Sequence, residues 1–542
     1  MARHIIILLL ISLFLFLFGL GNMALTDPDE TFYAQTAKEM VMSGEWITPV
    51  IFGQPQFEKP ILYYWLVEIS YKFLGINEFS ARLPSALFGI AGILGIYFLA
   101  RLIFSPLCGL LSGLAMASCV QYVILSRGCV TDMVLTVLIL YSFLFFLYGF
   151  SFKWKVWYLA SAAMCALSVL TKGPIGLFIP GVVIFGYLAA GGRWRQLKEI
   201  PVFWSIVVFL IVCMPWYILV TKIHGSGFVD EFFGFRNITR FLEAEHRIGS
   251  SPFFYIPVVI GGVFPWTSFL LFGAWTICKR DSFVSSVKGY KLFLVLWFLT
   301  VFVFFSISRT KLVTYILPLF PVLAILIGRF WEIAIPNSRD HKTARSMNAA
   351  YIVFLLLTFV GLIVGYLFVK FEYVGAVQYV LLCLGIFCAG VFLSSFFFIR
   401  GRKLLSFFTI VLSIILIIVP LVKGVLPFIG KHESSKYLAL KVKKMAGKDE
   451  PIGGESDHRR GVAFYTDRVD IKDIHSYEDL VNFVSAKKRV WGIIQVKHYK
   501  ELKEQRKDLY VETVLEFGKY VIITNKPYFS GHVIDNQLEG EK

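Results

Sequence analysis

The sequence predicts an α-helical polytopic membrane protein that carries a small polar α/β tail. Three observations lead there. Of 542 residues, 57% are hydrophobic and only 16% charged, with a mean hydropathy of +0.70. A soluble chain is ~45–50% apolar and ~25% charged. Too few polar side chains remain to coat soluble domains of this size, which excludes a disordered chain, a disulfide scaffold and an ordinary cytosolic enzyme. Apolar stretches near the ~20 residues that a membrane helix needs recur up to about residue 426. Beyond that point the chain turns polar and alternates helix and strand patterns.

About 13 apolar stretches qualify. They cover approximately 5–25, 80–103, 106–126, 130–150, 155–172, 174–191, 202–221, 252–277, 291–308, 311–331, 350–370, 375–399 and 404–426. The first is longer than the ~7–15 residues of a signal-peptide core and lacks a small-residue cleavage site, so it reads as an uncleaved anchor. With the N-terminus inside, the inner loops hold Lys153 and Lys155; Arg193, Arg195 and Lys198; Lys279, Arg280, Lys288 and Lys291; Arg339, Lys342 and Arg345; Arg400, Arg402 and Lys403. The outer turns hold only Arg127, Lys172, Arg309, Lys311 and Lys370. This asymmetry sets the orientation, and an odd number of spans places the tail outside.

Two regions follow: a membrane part, 1–426, with outer loops 26–79 and 222–251, and a tail, 427–542. In the tail, Ser434–Met445 and Tyr477–Lys487 read as helices, and Val462–Tyr465, Val490–Val496 and Tyr520–Thr524 as strands. The net charge of +17 lies mostly among the hydrophobic segments. It reads as membrane topology and contact with lipid rather than as a nucleic-acid surface. All eight cysteines fall in apolar stretches without metal-ligand pairing and read as small core residues. No inverted repeat is visible, which disfavours many transporter folds.

Ionisable residues in or near spans are costly and therefore point to function. Here they gather at outer ends. The first loop opens Asp27-Pro28-Asp29-Glu30 and runs to Phe57-Glu58-Lys59-Pro60, followed by Tyr63, Tyr64 and Trp65. Thr31–Met42 has the spacing of an amphipathic helix suited to the membrane interface. The aromatic run suits an interfacial belt. The second loop ends Glu243-Ala244-Glu245-His246-Arg247, and the short turns add Arg127 with Asp132, Lys172-Gly173 and Arg309-Thr310-Lys311. Carboxylates, a histidine and cations on one membrane face suit an anionic headgroup, with a metal as one option. Each element also has a bland reading: solvated caps, an exposed Glu58–Lys59 pair, snorkelling lysines.

The order of the motifs adds to this. Asp29-Glu30-Thr31-Phe32-Tyr33-Ala34, Gly44-Glu45-Trp46 and Phe57-Glu58-Lys59-Pro60-Ile61-Leu62-Tyr63-Tyr64-Trp65 resemble the first outer loop of bacterial lipid A aminoarabinose transferases, within the protein-mannosyltransferase-like GT-C glycosyltransferases. Thr171-Lys172-Gly173, His246-Arg247, Phe264-Pro265-Trp266 and Lys311-Leu312-Val313-Thr314-Tyr315 follow in the same order, over roughly residues 1–335. The resemblance implies a GT-C fold in the bacterial inner membrane with a periplasmic active site. It implies a polyprenyl-phosphate sugar donor and lipid A as acceptor. It further implies Asp29 as the essential acid with Glu30 beside it, and Lys59 and Arg247 as donor-phosphate ligands. Tyr33, Asp132, Lys172, Lys311 and Tyr315 are implied in the headgroup and lipid site, and Glu58 and His246 as ligands of a divalent metal, zinc. Phe32 and Gln35 stand where relatives often carry Arg and Glu, which removes one cationic contact and leaves the sugar open to related amino sugars. Transfer to protein or another envelope glycan is the enzymatic alternative; a non-enzymatic lipid-linked sugar transporter is the alternative of another class.

Overall fold

The computed structural model describes residues 1–232, 234, 251–279, 285–335, 341–372 and 374–528. Helices dominate it. In chain order the first are α1 (Ala2–Leu17), α2 (Asp29–Ser43), α3 (Leu62–Leu74), α4 (Glu78–Ile103), α5 (Pro106–Ala117), α6 (Val120–Ser126), α7 (Thr131–Phe152), α8 (Lys155–Lys172), α9 (Ile175–Ala190) and α10 (Val202–His224). Among the described residues eight helices are long and apolar enough to cross a membrane. Two bent pairs raise this to ten: α5 with α6, at 69°, and Tyr255–Gly262 with Thr267–Ala274, at 113°. The chain is thus a multi-pass membrane protein. Shorter apolar helices stand at α1 and α9, and the 18-residue α8 occupies a further apolar stretch.

Local chemistry sets several boundaries. Asn77 caps α4, accepting from the Ser80 amide at 2.9 Å while the Ser80 hydroxyl receives the Asn77 amide. Ser105 does the same work for α5, accepting from the Cys108 amide at 3.1 Å, with Pro106 at the first helical position. Gly173, at φ +89°, ends α8 directly after Lys172. Arg127 does not reach Asp132. Its guanidinium donates to the carbonyls of Leu15 at 2.8 Å and Phe18 at 2.9 Å, satisfying the open end of α1.

The tail builds a five-stranded sheet from β3 (Ile452–Glu455), β4 (Lys472–Ile474), β5 (Trp491–Gln495), β6 (Glu512–Phe517) and β7 (Tyr520–Thr524), in the order β4-β3-β5-β7-β6. The loop 26–79 holds a minimal hairpin, β1 (Val50–Ile51) and β2 (Gln54–Pro55). β3 pairs in parallel with β4 and β5, and β7 antiparallel with β5 and β6. Helices Ser456–Thr466, Tyr477–Val484 and Val496–Gln505 connect or follow the parallel strands.

Three expectations change. Val462–Tyr465 is not a strand but the last turns of the helix Ser456–Thr466. Its four consecutive apolar residues are all buried, because this helix is covered by both the sheet and the first outer loop; a short apolar run cannot distinguish the two cases. α2 forms where its spacing predicts, but it does not lie on lipid. Every residue from Glu30 to Met40 is buried, under the tail helix Ser456–Thr466 and against α3. Tyr63 and Tyr64 are not an interfacial belt. Both are fully buried, and they pack against Tyr33 with ring centroids 5.3 and 6.1 Å apart.

Candidate active site

α2 begins at Asp29, so Asp29 and Glu30 occupy its first turn, where partial positive charge favours carboxylates. Their surroundings then separate them. Glu30 is buried, and Arg82 of α4 grips it with two parallel bonds of 2.7 Å, Nε to Oε1 and Nη2 to Oε2. The Thr26 amide at 2.9 Å, the Thr26 hydroxyl at 3.0 Å and the Cys129 amide at 2.8 Å use the remaining lone pairs. Burial pushes this carboxyl up, but Arg82 and the two amides outweigh it and hold it below its ordinary value. Glu30 is therefore a fixed anion that ties the first loop to α4 and to the turn before α7.

Asp29 is different. It is exposed, and no hydrogen bond holds it among the described residues. Burial of its surroundings, then the nearby Asp132 carboxylate, push its carboxyl above the ordinary value, while Arg460 and Lys59 pull against them. It is the open carboxylate of the pair, close to both anions and cations.

The ends of distant helices meet here. Thr131, at the start of α7, lies 3.3 Å from the Tyr33 hydroxyl. The next residue, Asp132, is buried and accepts from the Lys172 ammonium at 2.5 Å, at the last turn of α8. Lys172 also lies over the ring of Tyr315, 4.0 Å from its centroid. Tyr255 donates to the Leu312 carbonyl at 3.1 Å, which fastens the Lys311–Leu312 turn to the end of the second outer loop. Lys311 itself is buried, 5% exposed. Asp29, Tyr33, Asp132, Lys172 and Tyr315 thus form one connected group, with Lys59 close enough to Asp29 to act on its charge. The Lys59 ammonium lies 3.2 Å from the Glu58 carbonyl. His246 and Arg247 lie outside the described residues.

Two contributors have no signal in the loop motifs. Arg82 is a charge near the start of an apolar helix, and its position alone is a clue. Arg460 comes from the tail helix Ser456–Thr466. Its guanidinium lies over the Phe32 ring at 4.7 Å and 3.9 Å from a Glu58 oxygen. Nothing in the composition of the tail marks it.

Among the described residues no three His, Cys, Asp or Glu side chains gather as a metal shell. Glu58, the described member of the expected pair, has an Arg460 nitrogen 3.9 Å from one of its oxygens, and His246 lies outside the described residues. No step below uses a metal.

Residues 58–219 match the family model described as dolichyl-phosphate-mannose-protein mannosyltransferase. The undecaprenyl phosphate-α-4-amino-4-deoxy-L-arabinose arabinosyl transferase of Enterobacter sp. (strain 638) is 31% identical over 65% of this chain. The match spans 63% of that relative's length, under two thirds of it. An uncharacterised protein of Aquifex aeolicus is 32% identical over 66% of this chain and 78% of its own. The crystal structure of ArnT from Cupriavidus metallidurans bound to undecaprenyl phosphate superposes with a TM-score of 0.80 at 23% identity, covering 96% of this chain and 98% of that one, which establishes a common fold. By these likenesses and by its ordered motifs, the chain belongs to the protein-mannosyltransferase-like GT-C glycosyltransferase family, the group that includes the aminoarabinose transferases.

Proposed function

We propose that this protein is an inverting glycosyltransferase that moves 4-amino-4-deoxy-L-arabinose, or a related amino sugar, from a polyprenyl-phosphate donor to a phosphate of lipid A. One observation carries the reading: an exposed carboxylate, Asp29, has Arg460 and Lys59 as cations acting on its charge at the start of α2. The arabinosyl transferase activity of the Enterobacter relative supports the sugar and the donor class. The undecaprenyl phosphate bound to the Cupriavidus protein supports the carrier.

The chemistry follows from the charges. Attack by an acceptor phosphate oxygen forms a bond to the anomeric carbon and breaks the bond from that carbon to the donor phosphate oxygen. Polyprenyl monophosphate leaves with the electron pair. Fixed cations at a membrane interface stabilise that developing charge more than they stabilise the diester before cleavage. Lys59 serves there, with Arg247 of the second outer loop in the same role, since arginine can grip two oxygens at once. Attack opposite the leaving group inverts the anomeric centre. An anionic acceptor needs no base, so Asp29 orients the donor sugar and its amine; a hydroxyl acceptor would use it as general base. Glu30, gripped by Arg82, fixes the first turn of α2 that carries Asp29. Tyr33, Asp132, Lys172, Lys311 and Tyr315 shape the headgroup pocket.

The proposal sets the chain in the bacterial inner membrane with 13 crossings, one for each apolar stretch of the sequence. The N-terminus is cytoplasmic. The site and the tail, 427–542, are periplasmic, and the tail is a second domain beside the membrane domain, 1–426. It also keeps zinc at Glu58 and His246, tested by metal analysis of purified protein and of a His246→Ala variant. The functional test is mass spectrometry of lipid A from cells with and without the protein. A pentosamine or hexosamine increment that wild type restores and Asp29→Asn does not is the expected result. Unchanged lipid A in cells that express the protein rejects the acceptor.

A further inference from the structure

The tail helix Ser456–Thr466 is fastened along its length to the first outer loop. His458 Nδ1 lies 3.1 Å from an Asp27 oxygen, and Asp27 also accepts from the Thr31 hydroxyl at 2.7 Å and the Ser435 amide at 2.9 Å. The Lys38 ammonium donates to the Phe464 carbonyl at 2.6 Å and pairs with Asp467. The Tyr465 hydroxyl receives the Leu25 amide at 2.8 Å and reaches Glu78 at 3.2 Å. Gly461 makes this approach possible: a Cβ there would sit 2.4 Å from an Asp27 oxygen and 2.1 Å from the Ser435 hydroxyl.

Two arginines lie between these fastenings, and they are used differently. Arg459 is committed within the protein. It donates to the Ile471 carbonyl at 2.8 Å, reaches Asp473 at 3.4 Å and stacks on Phe52 at 3.7 Å. The Arg460 guanidinium rests on Phe32, and its nearest anion is Glu58 at 3.9 Å, beyond hydrogen-bond reach. Among the described residues its five N–H donors make no hydrogen bond, and the side chain is 30% exposed. The helix is clamped, and the cation it delivers to the site keeps its donors for something else.

The charges around Asp29 say what that is. Asp132 and Lys172 neutralise each other. Arg460 and Lys59 are then the cations that act on the Asp29 carboxyl. A planar guanidinium laid on an aromatic ring with its edge free is suited to phosphate oxygens.

We propose that Arg460 is a cationic ligand of a phosphate group in this site, so that the tail completes the site rather than covering it. The proposal rests on the glycosyltransferase reading above. Its ligand is a phosphate monoester or diester, carried by the polyprenyl donor or by the acceptor lipid.

The test uses the full chain in lipid nanodiscs. Binding of undecaprenyl monophosphate, and the KM for donor and for acceptor, are measured for wild type, Lys59→Ala, Arg460→Gln, Arg460→Lys and the double variant Phe32→Arg/Arg460→Gln. The Gln variant keeps the stem over Phe32 and loses the charge. Its affinity is expected to fall roughly tenfold or more, with a shallower salt dependence. Arg460→Lys recovers part of this. Phe32→Arg recovers more, because it supplies a guanidinium from the floor on which Arg460 now rests; a purely structural role for Arg460 predicts no such rescue. Loss of undecaprenyl monophosphate binding assigns the donor phosphate. Unchanged binding with a raised acceptor KM assigns the acceptor phosphate. If Arg460→Gln matches wild type in all three readouts while Lys59→Ala loses binding, the inference is overturned and the glycosyltransferase reading stands. If wild type itself neither binds nor turns over, both are overturned.

Discussion

Asp29 and Glu30 are neighbours of the same chemical type, yet their surroundings assign them opposite work. Both oxygens of Glu30 are consumed by Arg82, Thr26 and Cys129. Removing one partner of a buried pair strands the other, at a cost of about 3–5 kcal/mol. Arg82→Ala is therefore expected to lower the melting temperature of the purified protein sharply, and activity with it. Asp29→Asn is expected to melt like wild type while turnover falls by at least a hundredfold. Because the Asp29 carboxyl sits above its ordinary value of 3.8, turnover should rise with pH along an acid limb displaced above that value. Arg460→Gln should displace it further up, since Arg460 opposes the shift; a kcat–pH profile of both proteins checks the sign. Glu68, on α3, offers a separate test. It is fully buried, its two oxygens have no hydrogen-bond partner among the described residues, and burial raises its carboxyl from 4.5 to about 7. A folded-state value above the unfolded one means that the stability it contributes is present below about 4.5 and lost as pH rises toward 7. Glu68→Gln should thus melt higher at pH 8 and show a flatter profile between those values.

Elements, rather than single residues, bring the site together, and this is where the sequence is least legible. The charged motifs at outer ends can be read because a charge near a bilayer is costly and therefore conspicuous. That reasoning finds Asp29, Lys59, Asp132, Lys172 and Lys311. It cannot find Arg460, whose position depends on how one tail helix docks, nor the covered face of α2. The pattern of α2 shows one polar side, and the polar side is buried because Lys38 meets Phe464 and Asp467 there. Val462–Tyr465 reads as a strand for the same reason: two partners bury the last residues of a short helix on all sides. Gly461→Ala tests the docking directly. Its methyl group collides with Asp27 and Ser435, so the helix should lift and donor affinity should fall. Limited proteolysis should then cut the tail faster than in wild type, a change that Arg460→Gln does not share.

For the whole molecule, composition and loop charge settle the class early. The arrangement of apolar stretches leads to a multi-pass bundle, and described helices stand at each of them. What composition cannot supply is the distribution of labour between bundle and tail. The bundle presents Asp132, Lys172 and Tyr315 at the ends of its helices. The first loop adds Asp29 and Lys59, and the tail adds Arg460. Such a site belongs to no single segment, which explains why no segment of the sequence carries a specific signal by itself. The most direct measurement of the central claim is transfer by the purified protein in nanodiscs, from undecaprenyl-phosphate aminoarabinose to lipid A, with wild type and Asp29→Asn in parallel. The account predicts sugar-modified lipid A and released undecaprenyl monophosphate with wild type, and neither with Asp29→Asn. Equal turnover by the two proteins would contradict it.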